Sequence, residues 1–194
     1  MPNPSPDISK ILADLKTGHA ALIIGPEIFD VEGLPLQRYI RKQIEAEFPG
    51  QIASYYERDG FFILNNQDDK PEVAEAVADL FRNLRPNEDL YRQIIEIPFP
   101  LVVSVNPDTC LSELAFRLGV PHRFSAFYPN KPEDIETPTP ELPLFYNIAG
   151  CIEREASLLL DYDDLLRLLE GMLAAPKLPE RLRNKLGDTK SFLV

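Results

Sequence analysis

The chain has 194 residues, enough for one well-buried domain and short for two. Its 44% hydrophobic and 26% charged residues are typical of a globular protein, and no apolar run is long enough to cross a bilayer. The net charge of -11 opposes nucleic-acid binding, and the start, MPNPSPDISK, lacks the layout of a signal peptide, so we expect a cytoplasmic protein that binds neither nucleic acid nor membrane.

Cysteine and histidine are scarce in this sequence. The two cysteines, Cys110 and Cys151, cannot form a disulfide framework or a four-cysteine zinc site, so we expect no metal. We interpret both as reduced, buried thiols, with a redox-linked pair as the alternative. The two histidines, His19 and His122, do not follow strands that carry a motif. We therefore interpret them as surface or locally bonded side chains.

The first elements are a helix, a strand and a second helix. Ser5-Pro6-Asp7 predicts the start of a helix that ends at Gly18. The continuous apolar run from Ala20 to Ile24 predicts a strand covered on both faces. A loop, GPEIFDVEGLP, then leads to a helix predicted from about Leu36 to Phe48.

The middle of the chain is predicted to be a helical insert at about residues 50–98. Its two clearest helices begin near Pro71 and near Pro86. Pro100 to Val105 predicts the second buried strand, and a helix that stops at Gly119 follows it.

The last third begins with a proline-rich loop, residues 129–143, that we expect to be exposed and extended. Strands are predicted for Leu144 to Ile148 and Ser157 to Leu160, and the final strand for Ser191 to Val194. Helices are predicted between them, at about 161–174 and 179–186. The alternation predicts a single α/β domain over residues 1–194, Rossmann-like and three-layered, with a mostly parallel sheet.

Three strand ends share one edge of the predicted sheet, because the carboxyl ends of parallel strands meet on the same side. The loops after residues 20–24, 100–105 and 144–148 read GPEIF with EGLP, then SVNPD, then NIAG. Ligands of α/β proteins bind at this edge. We therefore expect any site to lie there.

The ordered set of these segments resembles the SIR2-like (sirtuin-related) family, in particular its bacterial branch of NAD-consuming anti-phage systems. The matching segments are Gly33-Leu34-Pro35, Ser104-Val105-Asn106-Pro107-Asp108, Ala149-Gly150 and Leu158-Leu159-Leu160-Asp161-Tyr162. The resemblance implies NAD or ADP-ribose as the ligand. It places the binding residues at Gly25, Gly33, Pro35, Asn106, Asp108 and Gly150.

The chain departs from the family pattern where the family does its chemistry. Ala149 stands at the position of the family's catalytic histidine, and a methyl group cannot move a proton. In the phosphate loop, Pro26 removes an N–H donor and Glu27 adds a negative charge. Phe29 replaces a serine. The final strand also ends the sequence where the family continues, which predicts a truncated core.

The sequence therefore predicts a degenerate SIR2-like domain, catalytically inactive and without a cofactor. Its role would be that of a structural or interaction module of a bacterial defence or signalling protein, with a protein partner, further domains or a second copy bound to it. Asn106 and Asp108 are then vestigial, and turn formation with capping of the next helix explains them better. The alternative is an NAD glycohydrolase, or an NAD or ADP-ribose-binding domain, that retains Asn106 and Asp108.

Overall fold

The first half of the chain alternates helices with short strands. The computed structural model describes residues 7–31, 33–128, 134–173 and 178–194. A 3-10 turn at Pro26–Ile28 follows the first strand. The helices and strands up to the middle of the chain are α1 (Ile8–Lys16), β1 (Ala20–Ile24), β2 (Asp30–Val31), β3 (Leu34–Pro35), α2 (Leu36–Glu47), β4 (Ile52–Tyr56), β5 (Phe61–Leu64), α3 (Lys70–Asn83) and α4 (Glu88–Glu96).

The second half supplies the remaining strands of the main sheet. Its elements are β6 (Leu101–Ser104), α5 (Cys110–Arg117), β7 (Arg123–Ala126), β8 (Leu144–Asn147), α6 (Tyr162–Leu173), α7 (Glu180–Asp188) and β9 (Ser191–Leu193).

A five-stranded sheet lies at the centre of the fold, in the order β7-β8-β6-β1-β9. All four strand pairs are parallel, which confirms the predicted α/β class with a parallel sheet. Ile24 is paired with Ser104, and Ser104 is paired with Asn147. The carboxyl ends of β1, β6 and β8 are therefore level with one another, as the sequence predicts.

Helices cover both faces of the sheet and complete a three-layer, Rossmann-like arrangement. On one face, α1, α4 and α5 pack through side chains such as Tyr91 and Leu114 against Val102 and Phe145. On the other face, α6 and α7 pack against the strands, with Leu182 fully buried there. Burial of aliphatic and aromatic surface on both faces is the main source of stability for such a sheet.

A separate layer, which we call the roof, stands over the carboxyl edge of the sheet. It consists of α2, the antiparallel hairpin β4–β5 and α3, and it has its own core around Ile44, Phe62 and Val73. The segment predicted as a helical insert thus contains a hairpin as well as helices. Only one side chain of β4, Tyr55, is buried, so its strand character is weak in the sequence. Asp59-Gly60 is the turn signal that reveals it, with Gly60 at φ 78°.

The structure differs from the sequence-based expectation in three further places. Ser157 to Leu160 is not a strand of the sheet, since a 3-10 turn covers Glu155–Ser157 and an extended segment follows it. The edge strand β7 was not predicted. The proline-rich loop is not wholly exposed, because Ile135 is buried under α7, whose Arg181 donates to the Ile135 carbonyl oxygen at 2.8 Å.

Parts of several predictions lie outside the described residues. Residues 129–133 of the proline-rich loop are among them, as are Ser5 and Pro6 before the first helix and residue 174 at the predicted end of α6. Within the described part, Asp7 caps α1, and its carboxylate accepts a hydrogen bond from the Lys10 N–H at 3.2 Å.

Candidate functional site

A cleft of about 520 Å³ lies between the carboxyl edge of the sheet and the roof. The chain leaves β6 towards α5 on one face and leaves β8 towards α6 on the other face. Adjacent strands whose connections diverge in this way leave a crevice, and ligands of α/β proteins bind in such crevices. The volume is within the range of small-molecule sites.

Residues from the strand ends form the floor of the cleft. They include Pro26 and Glu27 after β1, Asn106 after β6, and Ile148 and Ala149 after β8. The roof contributes mainly apolar and aromatic side chains, among them Leu36, Ile40, Tyr55, Phe61, Phe62 and Phe81. Arg58 and Asp59, at the hairpin turn, complete the lining on that side.

Asn106 joins the loops that follow β1 and β6. Its side-chain amide donates to the Gly25 carbonyl oxygen at 2.9 Å, and its backbone N–H donates to the Ser104 hydroxyl at 3.0 Å. The residue is 3% exposed although it borders the cleft. Its amide nitrogen is thus already engaged in holding the loop, which fits the turn-forming role predicted from the sequence.

Asp108 lies beside the start of α5 and is not among the residues that line the cleft. Its Oδ1 accepts a hydrogen bond from the Cys110 N–H at 2.9 Å, as expected of a residue that caps a helix. Oδ2 is buried and has no hydrogen-bond partner among the described residues. Burial raises the pKa of Asp108, although the Cys110 N–H acts in the opposite direction.

Asn147 is a site residue that the sequence analysis missed. It ends β8, is 3% exposed, and donates from its amide to the Asp108 carbonyl oxygen at 2.7 Å. Together with Asn106 it ties the ends of three neighbouring strands, β1, β6 and β8. The sequence did contain a signal for this role, because an asparagine at the end of a buried strand needs a hydrogen-bond partner.

In the loop after β1, the exposed side chain of Glu27 lies next to Gly25. Gly25 is followed by a 3-10 turn that begins at Pro26, and the Glu27 carboxylate folds back over Gly25. A Cβ placed on Gly25 would lie 2.5 Å from Glu27 Oε2. The negative charge therefore occupies the space next to the glycine, where the resemblance puts a diphosphate.

Phe29 fills space in the core of the roof. It is 3% exposed, and its ring meets the Phe81 ring edge-to-face, with the centroids 6.3 Å apart. This agrees with the expectation that the residue replacing the family's serine packs instead of bonding a ligand.

The remaining predicted site residues divide between the cleft and the surrounding turns. Ala149 borders the cleft and is half-buried. Gly33, at φ 72°, forms the turn between β2 and β3, and Pro35 directly precedes α2. Gly150, at φ 87°, packs against the backbone of Ser157 so closely that a Cβ there would clash with the Ser157 carbonyl oxygen. The backbone conformation therefore explains the presence of Gly33, Pro35 and Gly150 at these positions.

The cysteines and histidines lie outside the cleft lining. Both thiols are free, and burial raises their pKa values, to about 12 for Cys110, which disfavours the reactive thiolate. His122 donates from Nδ1 to the Val120 carbonyl oxygen at 2.9 Å and accepts at Nε2 from the Ser112 hydroxyl at 2.8 Å. His19 Nδ1 is 3.0 Å from the Thr17 hydroxyl. Both histidines have local partners, as predicted.

The roof is fastened to the segment that precedes α6. The Phe62 N–H donates to the Leu160 carbonyl oxygen at 2.8 Å, and the Tyr162 hydroxyl donates to Asp59 Oδ2 at 2.7 Å. The Tyr162 ring also contacts the rings of Tyr56 and Phe61, with centroids 5.2 and 5.0 Å away. The far wall of the cleft is thus held in place without a ligand.

Neither a metal-binding cluster nor a membrane-spanning helix occurs among the residues that the structure describes. In the described ranges, His, Cys, Asp and Glu side chains form no cluster of three that would hold a metal ion. Within the same residues, no helix combines the length and the apolar character that crossing a membrane requires. No protein-family model matches the chain, and no curated protein matches it.

Proposed function

We propose that the chain is a SIR2-like domain that does not cleave NAD and that acts as a structural or interaction module of a bacterial defence or signalling protein. The observation that carries this proposal is the Glu27 carboxylate, which lies over Gly25 at the edge of the cleft. Two like charges about 4 Å apart repel by about 4 kcal/mol at an effective dielectric constant near 20. A diphosphate next to Gly25 would meet repulsion of this kind, reduced by solvent screening because Glu27 is exposed.

Two side chains at the strand ends and one in the roof are unsuited to act as the base for the reaction. Ala149 offers a methyl group, and the amide of Asn106 is engaged with the Gly25 carbonyl oxygen. Burial raises the pKa of Tyr55 to about 12, and its hydroxyl donates to the Gln37 carbonyl oxygen. A group with such a high pKa is a poor base at neutral pH. This favours an inactive domain.

Nicotinamide release tests the proposal. The protein is incubated with NAD, and free nicotinamide is measured over time, with no turnover expected. The matched pair Asn106→Ala and Asn147→Ala serves as the control, since each variant loses one buried amide that holds a loop and only Asn106 borders the cleft. Multiple turnovers that disappear with Asn106→Ala and persist with Asn147→Ala would refute the proposal and support the NAD glycohydrolase.

A second candidate function is the binding of a small ligand without chemistry. The size and position of the cleft favour it, because a preformed apolar cavity is the usual form of a ligand site. A thermal-shift panel with NAD, ADP-ribose and adenosine tests the nucleotide version. A ligand at a hundredfold excess over its Kd stabilises the fold by about 2.7 kcal/mol.

A further inference from the structure

We infer that the cleft binds a mostly apolar small molecule that is neutral or carries a single positive charge, and that it discriminates against anions. This inference deepens the second candidate function and rests on it. It concerns the ligand class alone, so it is independent of whether the domain acts as an interaction module.

The walls of the cleft argue for an apolar ligand. Aliphatic and aromatic side chains dominate the lining, on the floor at Ile148, in the roof at Leu36 and Phe61, and at the back at Leu159 and Leu168. Each square ångström of apolar surface that a ligand covers contributes about 25 cal/mol to the hydrophobic part of the binding free energy. A polar ligand of the same size would lose its hydration against these walls and gain hydrogen bonds only at the few polar side chains of the lining, such as Gln37 and Arg58.

The charges at the cleft argue against an anion. Among the described lining residues, the carboxylates of Glu27 and Asp59 stand against one guanidinium, that of Arg58. The whole chain carries a net charge of -11, so its field adds to the repulsion. A single positive charge on the ligand would instead be attracted by the carboxylates.

The cleft is also preorganised for a ligand. The roof is held over the sheet by the Phe62–Leu160 backbone bond and by the contacts of Tyr162 with Asp59 and its aromatic neighbours. A site whose walls are already fixed loses little conformational freedom when a ligand enters. Even a small rigid molecule should therefore bind measurably.

Three probes that share one ring system and differ in charge test this inference. 1-Naphthylmethylamine, 1-naphthalenemethanol and 1-naphthoate are titrated into isotope-labelled protein, and backbone and methyl chemical shifts are followed. We expect the amine and the alcohol to bind with a Kd of about 1 mM or tighter. The naphthoate should bind about tenfold more weakly than the amine. The shifts should concentrate at Ile148, Ala149 and Phe61.

Two variants and one control locate the binding. Ala149→Leu takes up volume in the cleft and should weaken the amine and the alcohol about tenfold. Ala53→Leu, on the exposed side of β4, adds the same bulk outside the cleft and should leave binding unchanged. Glu27→Gln should reduce the ratio of the naphthoate Kd to the amine Kd about threefold, because the variant removes one negative charge from the cleft.

Equal or tighter binding of the naphthoate would overturn the inference, as would shifts that map elsewhere or the lack of a saturable shift with all three probes. The chemical-shift changes of the unaltered protein show where the probes bind even if Ala149→Leu does not fold. Tighter binding of the naphthoate would refute the ligand class alone, whereas the thermal-shift panel tests the second candidate function and nicotinamide release tests the inactive domain, so these failures are distinguishable.

Discussion

At the residue scale, Gly150 shows how closely the backbone packs beside the cleft. Its φ of 87° disfavours any other residue, and a Cβ there would run into the Ser157 backbone. We expect Gly150→Ala to lower the free energy of unfolding by about 3 kcal/mol, since strain and a backbone clash add together. Urea denaturation measures this loss.

Gly33→Ala is the matched control for that prediction. Gly33 has a similar φ of 72°, but nothing lies within 4 Å of a Cβ placed there. Only the backbone strain remains in this variant, so the free energy of unfolding should fall by only about 1 kcal/mol. Equal losses in the two variants would show that the Ser157 contact is not what requires the glycine.

Asp108 predicts a pH dependence of stability. Burial raises its pKa above the ordinary 3.8, so the folded protein holds the proton at pH values where the unfolded chain has lost it. The stability of the protein relative to Asp108→Asn should therefore fall as the pH rises above 3.8 and through the folded-state pKa. Urea denaturation of both proteins at pH 4 and pH 7.5 measures the difference, and a difference that does not change with pH would contradict the assignment.

At the scale of elements, Lys70 links two helices. Its ammonium contacts Asp161 at 2.8 Å and Asp164 at 2.7 Å, which joins the start of α3 to the start of α6. Burial pushes the pKa of Asp161 up, but the Lys70 ammonium and the Asp164 N–H outweigh it, so the pKa lies below its ordinary value. The interaction is therefore present at neutral pH and is lost as the pH falls through that lowered pKa.

Lys70→Met should lower the free energy of unfolding by about 2 kcal/mol at pH 7, because it leaves Asp161 without its cation and Asp164 with only Arg167, at 3.6 Å. The loss should shrink towards pH 3, where the carboxylates become protonated. Lys42→Met, at an exposed position of α2, is the control and should change stability little. Chemical denaturation at both pH values provides the comparison, and equal losses in the two variants would contradict a role for the network.

The hairpin of the roof depends on Tyr162. Replacing it with alanine removes both the hydroxyl bond to Asp59 and the ring contacts with Tyr56 and Phe61. We expect faster hydrogen exchange at the amides of Phe62 and Gly60, with a smaller effect for Tyr162→Phe, which keeps the ring. The amides of β6 are the internal reference. Unchanged exchange in the hairpin of the alanine variant would show that the roof is held by other contacts.

At the scale of the whole molecule, patterns with strong local signals were predictable. The continuous apolar runs of β1, β6 and β8 and the proline and glycine boundaries of α4 and α5 appear where the sequence places them. The parallel order of these strands brought the predicted loops to one edge, so the position of the cleft was also predictable. The sequence did not reveal β7 or the roof hairpin, because the side chains of β4 and β7 do not alternate between buried and exposed positions.

The finer geometry of the site depends on contacts that no local pattern encodes. Asn106 borders the cleft, whereas Asp108, two residues away, is buried beside α5 and is held to β8 by Asn147. That separation is set by tertiary hydrogen bonds between strand ends. The direction of the exposed Glu27 side chain was likewise not predictable, although its charge was visible in the sequence.

A titration of NAD into isotope-labelled protein tests most directly whether the Glu27 carboxylate keeps a diphosphate away from the loop after β1. The backbone amide signals of Gly25, Glu27 and Asn106 report on the loop that the Glu27 carboxylate covers. We predict that these three signals do not shift at NAD concentrations up to several millimolar. A saturable shift of all three, with a Kd in the micromolar range, would contradict the account.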